Sequence, residues 1–142
     1  MKYAIAFVAT ALVFCALDAI WLGLIAADFY RERLGALMLE RPYLPAVLAF
    51  YVLYIAGVVI FAVEPAANLR GATARGALFG LFTYMTYDLT NLATLRGWQW
   101  SIVAVDIGWG MLVTALGACA GAAVLRRFLR WRELSGVIEN PG

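Results

Sequence analysis

The chain of 142 residues contains no histidine. That removes the commonest general base and the imidazole ligand on which haem and many zinc sites depend. Charge is scarce as well. Asp, Glu, Lys and Arg together make up 14% of the chain, against roughly a quarter in an average soluble domain. The net charge of +2 is too small to call for a nucleic acid or another polyanionic partner. There are two cysteines, Cys15 and Cys119. Each lies in an apolar run with no partner at metal-ligand spacing, so both read as small packing residues. Their different depths along the helices also argue against a disulfide.

What is present is apolar surface. Hydrophobic residues make up 65% of the chain and the mean hydropathy is +0.85. A soluble domain of this size has too high a surface-to-volume ratio to hide so much. The composition therefore predicts an all-α integral membrane protein. Four stretches are long enough to span a bilayer as helices: about 3–27, 43–63, 77–95 and 101–125. The connections are short, so residues 1–142 read as one membrane domain. The first stretch continues past signal-peptide length, and Asp18 and Trp21 sit where cleavage would fall. It reads as an uncleaved helix. Residues 126–142 read as an amphipathic basic tail, with Arg126, Arg127, Arg130 and Arg132 alternating with Phe128, Leu129 and Trp131. Such a tail suits anionic headgroups, making the lipid bilayer itself the expected partner.

Glycines mark where helices approach closely. Gly76-Ala-Leu-Phe-Gly80 and Gly117-Ala-Cys-Ala-Gly121 are both small-residue patterns of the kind that pack helix backbones together in lipid. The simplest use is contact between the third and fourth helices. A homodimer contact is the alternative use.

The unusual residues are the intramembrane acids Asp18, Asp88 and Asp106, one each in the first, third and fourth stretches. A carboxylate in a bilayer core costs a few kcal/mol. Counted along their helices, all three fall roughly 12–15 Å from the same membrane face, and Tyr51 in the second stretch falls at a similar depth. On the third helix, Gly80, Tyr84, Tyr87, Asp88 and Asn91 share one face and Leu78, Phe82, Met85, Leu89 and Leu92 the other. A spacing recurs in Asp18-Ala-Ile-Trp21 and Asp106-Ile-Gly-Trp109, which places Trp21 and Trp109 about one turn from an acid. Asp18, Asp88, Asp106, Tyr87, Asn91, Tyr51, Trp21 and Trp109 thus form one candidate polar layer.

Three readings of that layer stand side by side. It binds or conducts a cation, a proton or a small polar solute, since three acids with no matching Lys or Arg leave charge to be neutralised. It is a structural hydrogen-bond network that fixes helix register in a scaffold protein. Or it serves an enzyme acting on lipid. No nucleophile, metal-ligand or cofactor motif accompanies the acids, so neither a cofactor nor a metal is expected, and the balance leans away from catalysis.

The run Tyr84-Met-Thr-Tyr-Asp-Leu-Thr-Asn91, with Asp18-Ala-Ile-Trp-Leu-Gly and Asp106-Ile-Gly-Trp-Gly, resembles a family of small bacterial inner-membrane proteins of unknown function marked by a TYDLTN signature. The resemblance implies a four-helix protein of the bacterial inner membrane and no established activity.

Orientation follows from basic residues. One side would carry seven: Lys2, Arg70, Arg75, Arg126, Arg127, Arg130 and Arg132. The other would carry four: Arg31, Arg33, Arg41 and Arg96. Both termini are therefore expected to be cytoplasmic. Reporter fusions at Arg33 and Gly97 should then read as periplasmic and one at Gly71 as cytoplasmic. A periplasmic signal from Gly71 would reverse the assignment.

Overall fold

The computed structural model describes residues 1–136. The described residues form five principal helices, one short 3-10 helix (Gly35–Leu37) and no strand. The five are α1 (Lys2–Ile25), α2 (Ala27–Leu34), α3 (Leu44–Val63), α4 (Leu69–Thr94) and α5 (Trp100–Leu134). Three of them, α1, α3 and α5, are long and apolar enough to cross a membrane. The four-span expectation is thus met on length and composition in three helices. α4 has the length, at 26 residues, but its polar residues and the arginines of its first turns dilute its apolar character.

The helix ends follow local chemistry. Pro45 stands in the first turn of α3, where its missing N–H is no loss. Asn68 caps α4 by accepting a hydrogen bond from the Gly71 N–H at 2.8 Å. Gly97, at φ 84°, provides the left-handed turn between α4 and α5. The last turns of α1 (Trp21–Ile25) and α3 (Val59–Val63) are π-helical. α4 begins earlier than residue 77, and α5 runs on well past 125. The basic stretch 126–134 is therefore a rigid continuation of α5 rather than a separate tail. The remainder of the expected tail, 137–142, lies outside the described residues.

The bundle is built on α5. α4 lies along it most extensively, and α1 packs against it next. Gly76 and Gly80 make the α4 contact possible. A Cβ on Gly76 would lie 2.7 Å from the Ala118 Cβ and 2.8 Å from the Thr114 carbonyl oxygen. One on Gly80 would collide with the Gly110 carbonyl. The second glycine pair serves a different neighbour: Gly117 and Gly121 face Thr10, Phe14 and Ala6 of α1. The expected contact of the third and fourth helices is present, but Gly117 and Gly121 belong to the α1 seam.

α3 is held less evenly. Its backbone approaches α4 from Val59 to Val63, and its earlier part packs mainly on α1. Towards Leu44 the two helices part, and aromatic rings bridge the interval. Tyr54 meets Phe79 at 5.5 Å and Tyr84 at 6.2 Å between ring centroids. The Tyr54 hydroxyl also pairs with the Thr114 hydroxyl at 2.8 Å. Cys15 and Cys119 are unpaired.

Adding a side chain at Gly80 should separate α4 from α5. Gly80→Val is expected to lower stability in detergent by at least about 1–3 kcal/mol, as overpacking does. Gly108→Ala, where a Cβ meets nothing within 4 Å, should be neutral or stabilising. Thermal melts followed by circular dichroism compare them. Equal melting of Gly80→Val and wild type would show that the seam is not tight.

Candidate functional site

Asp18, Asp88 and Asp106 sit at matching depth, near the end of the bundle that carries α2. Asp18 is seven residues before Ile25, Asp88 six before Thr94, and Asp106 six after Trp100. All three are buried, at 5%, 0% and 8% exposure. None faces lipid. Their surroundings differ, however.

Asp18 is fully served. Its Oδ2 accepts from the Tyr51 hydroxyl at 2.6 Å, and its Oδ1 accepts from the Trp109 indole N–H at 3.0 Å. Asp106 accepts from the Tyr30 hydroxyl. Tyr30 in turn accepts from the Trp21 indole N–H at 3.2 Å. The two Asp-x-x-Trp segments therefore serve each other. Trp109 of α5 bonds the acid of α1, and Trp21 of α1 reaches the acid of α5 through Tyr30. The two indoles stack between them, 4.5 Å apart and within 7° of parallel. Offset stacking of this kind adds to the area the rings bury.

Tyr30 lies on α2, outside the long helices, in a segment that turns back over the bundle. Arg33 holds α2 in place: its Nε donates to the Ser101 hydroxyl at 3.1 Å, and its guanidinium lies 3.9 Å over the Phe29 ring. Burial, and then the hydrogen bond to Asp106, push the Tyr30 phenol above its ordinary range. It is a neutral donor at physiological pH.

Asp88 is different again. Neither of its carboxyl oxygens has a hydrogen-bond partner, and neither has the buried indole N–H of Trp98. Trp98 lies beside it without completing a hydrogen bond. A fully buried acid with nothing bonded to it must be neutral or be neutralised by something bound.

The remaining expected residues are placed less centrally. Tyr87 is 53% exposed and packs edge-on against Trp98 at 5.6 Å. Neither its hydroxyl nor the Asn91 amide bonds any of the three acids. The threonines of α4 are likewise absent from the layer. Thr86, Thr90 and Thr94 bond the carbonyls four residues before them, at 2.6–2.7 Å.

Asp18 and Asp106 share a cavity of about 470 Å³ at the α2 end. Trp21, Trp109, Tyr30, Tyr84, Tyr87, Trp98 and Phe50 line it, and Arg31 stands at its rim. Asp88 does not line it. The acids thus divide into two that face a common chamber and one sealed beside it. Tyr30 and Trp98 were not among the candidate residues. They lie in the connections, where helix depth and periodicity carry no information. Periodicity places Tyr84 on the polar face of α4 but assigns it no role.

An all-helical bundle with spanning apolar helices and buried acids defines a multi-pass membrane protein. The chain belongs to the predicted membrane protein family DUF2177, which it matches over residues 3–123. That stretch holds every residue of the chamber. No curated protein and no solved structure matches the chain.

The contrast between Asp18 and Asp88 is measurable. Asp18→Leu strands two donors, whereas Asp88→Leu strands none that is bonded now. Asp18→Leu is expected to be less stable than Asp88→Leu by about 2–4 kcal/mol, two charge-assisted hydrogen bonds being at stake. Chemical unfolding of both variants in one detergent gives the difference. A less stable Asp88→Leu would mean that Asp88 has partners after all.

Proposed function

We propose that this is a four-span protein of the bacterial inner membrane that binds a positively charged group in the Asp18–Asp106 chamber. The observation that carries the reading is the composition of that one cavity: two acids among seven aromatic rings, with its basic side chain, Arg31, at the rim. Arg31 is turned outward to Asp28 at 3.2 Å and its side chain is 75% exposed. Carboxylates set against aromatic faces suit an organic cation, which the acids neutralise and the rings hold by cation–π attraction.

The fourth span is α4. Its 26 residues extend about 39 Å, enough to cross a hydrocarbon core of about 30 Å. Its apolar face is outward, with Leu78, Phe82 and Leu89 exposed, and its acid and glycines are inward. The N-terminus and the arginines of α5 are cytoplasmic on this reading, which places the chamber towards the periplasmic side. From the Tyr84–Asn91 run, Tyr84 and Tyr87 supply part of one wall of the site.

Binding is favoured over conduction by what lies deeper. Phe14, Tyr54, Val58, Val113 and Thr114 fill the middle of the bundle. The scaffold reading explains the completed bonds of Asp18 but leaves the cavity between the two acids without a purpose.

Ethylammonium is a suitable probe, with the protein in nanodiscs and tryptophan fluorescence as the readout. Trp21 and Trp109 report from within the site. Asp106→Asn should weaken binding by at least about tenfold, one lost charge contact being worth 1.4 kcal/mol or more. Asp18→Asn should weaken it similarly. Unchanged affinity in both variants would dispose of the reading.

A further inference from the structure

The chamber is not closed on the side of α3. Because α3 and α4 part towards Leu44, a second cavity of about 380 Å³ lies between them, lined by Phe50, Tyr54, Thr83, Tyr84 and Tyr87. It is almost wholly apolar and reaches the outside of the bundle, where Phe50 is 42% and Tyr87 53% exposed. Phe50, Tyr84 and Tyr87 line both cavities. The acidic, aromatic chamber therefore adjoins, across these three rings, an apolar groove that opens at the outside of the bundle.

We infer that the occupant is an amino-headgroup phospholipid, with its ammonium in the chamber and an acyl chain in the groove between α3 and α4. The inference rests on the cation-site reading and names the ligand of that site. Three features argue for it. The ammonium matches Asp18 and Asp106 in charge. Arg31 belongs to the lining of the same chamber, and its guanidinium, paired with the exposed Asp28 at 3.2 Å, has only that surface partner to give up in turning to the phosphate next to an ammonium. The groove adjoins the chamber and opens on the outside of the bundle, so a chain attached to the head has an apolar setting next to it. A water-soluble cation would need the first feature but neither of the others.

The chain is tested apart from the head. Dodecylammonium and ethylammonium carry the same charge, so their difference reads the groove. Dodecylammonium should bind wild type in nanodiscs at least about tenfold more tightly. Thr83→Trp fills the groove without lining the chamber. It should abolish most of that advantage and leave ethylammonium binding unchanged. Simple enrichment of the long chain in the bilayer would survive in the variant, so an undiminished advantage overturns the inference. If ethylammonium itself fails to bind wild type, the chamber reading falls and the inference falls with it.

A second measurement does not depend on how Thr83→Trp folds. A photo-crosslinking benzoylphenylalanine at Phe50, in nanodiscs mixing phosphatidylethanolamine and phosphatidylglycerol, should capture the amino lipid in excess. The same group at Leu53, which is 72% exposed, should capture lipid in the bulk proportion. Equal proportions at the two positions overturn the inference.

Discussion

An acid placed among hydrocarbon must find donors or lose its charge, and the upper half of this bundle is arranged around that requirement. Asp18 and Asp106 meet it largely by exchange: one donor of Asp18 comes from the helix of Asp106, the donor of Asp106 is anchored by the helix of Asp18, and Tyr51 of α3 completes Asp18. The exchange fixes the relative height of α1 and α5, because neither helix can slide by a turn without breaking both sets of bonds. It also brings the two indoles face to face, and that stack forms one wall of the chamber. The glycines at the other end of the bundle set how close the helices come. The acids set their register.

Asp88 stands outside this exchange and makes its logic visible. It lies on the best-packed helix pair, at the same depth as the others, yet its oxygens are bonded to nothing. A buried polar group without partners is a net cost to folding. Its burial without a partner marks the one acid of the three that the exchange between α1 and α5 leaves out.

Much of this was legible in the sequence, for reasons that can be stated. The apolar runs gave the long helices because the bilayer permits little else. The shared depth of the three acids followed from a constant rise per residue. The inward face of α4 followed from periodicity, with Gly76, Gly80 and Asp88 all buried. What periodicity could not supply was the contribution of the connections. Tyr30 joins the layer because α2 folds back over the bundle, and Trp98 joins it from a turn. The threonines of α4 matched the polar pattern but satisfied themselves on their own helix. Asn91 and Tyr87 sat on the right face and still bonded none of the acids, since a helix face is broader than a hydrogen bond is long.

The continuity of α5 has a mechanical meaning. Its 35 residues measure about 52 Å, well beyond a hydrocarbon core of about 30 Å. One unbroken rod therefore carries Asp106 and Trp109 near one end and Arg126, Arg127, Arg130 and Arg132 near the other. Arg126 is clamped to the Ala66 carbonyl at 3.1 Å, which sets the rod's rotation where it emerges from the bundle. A stiff rod turned at one end turns at the other by the same angle. The Arg126–Ala66 bond thus acts as a torsional reference for the acid in the chamber, twenty residues and about 30 Å away along the same rod.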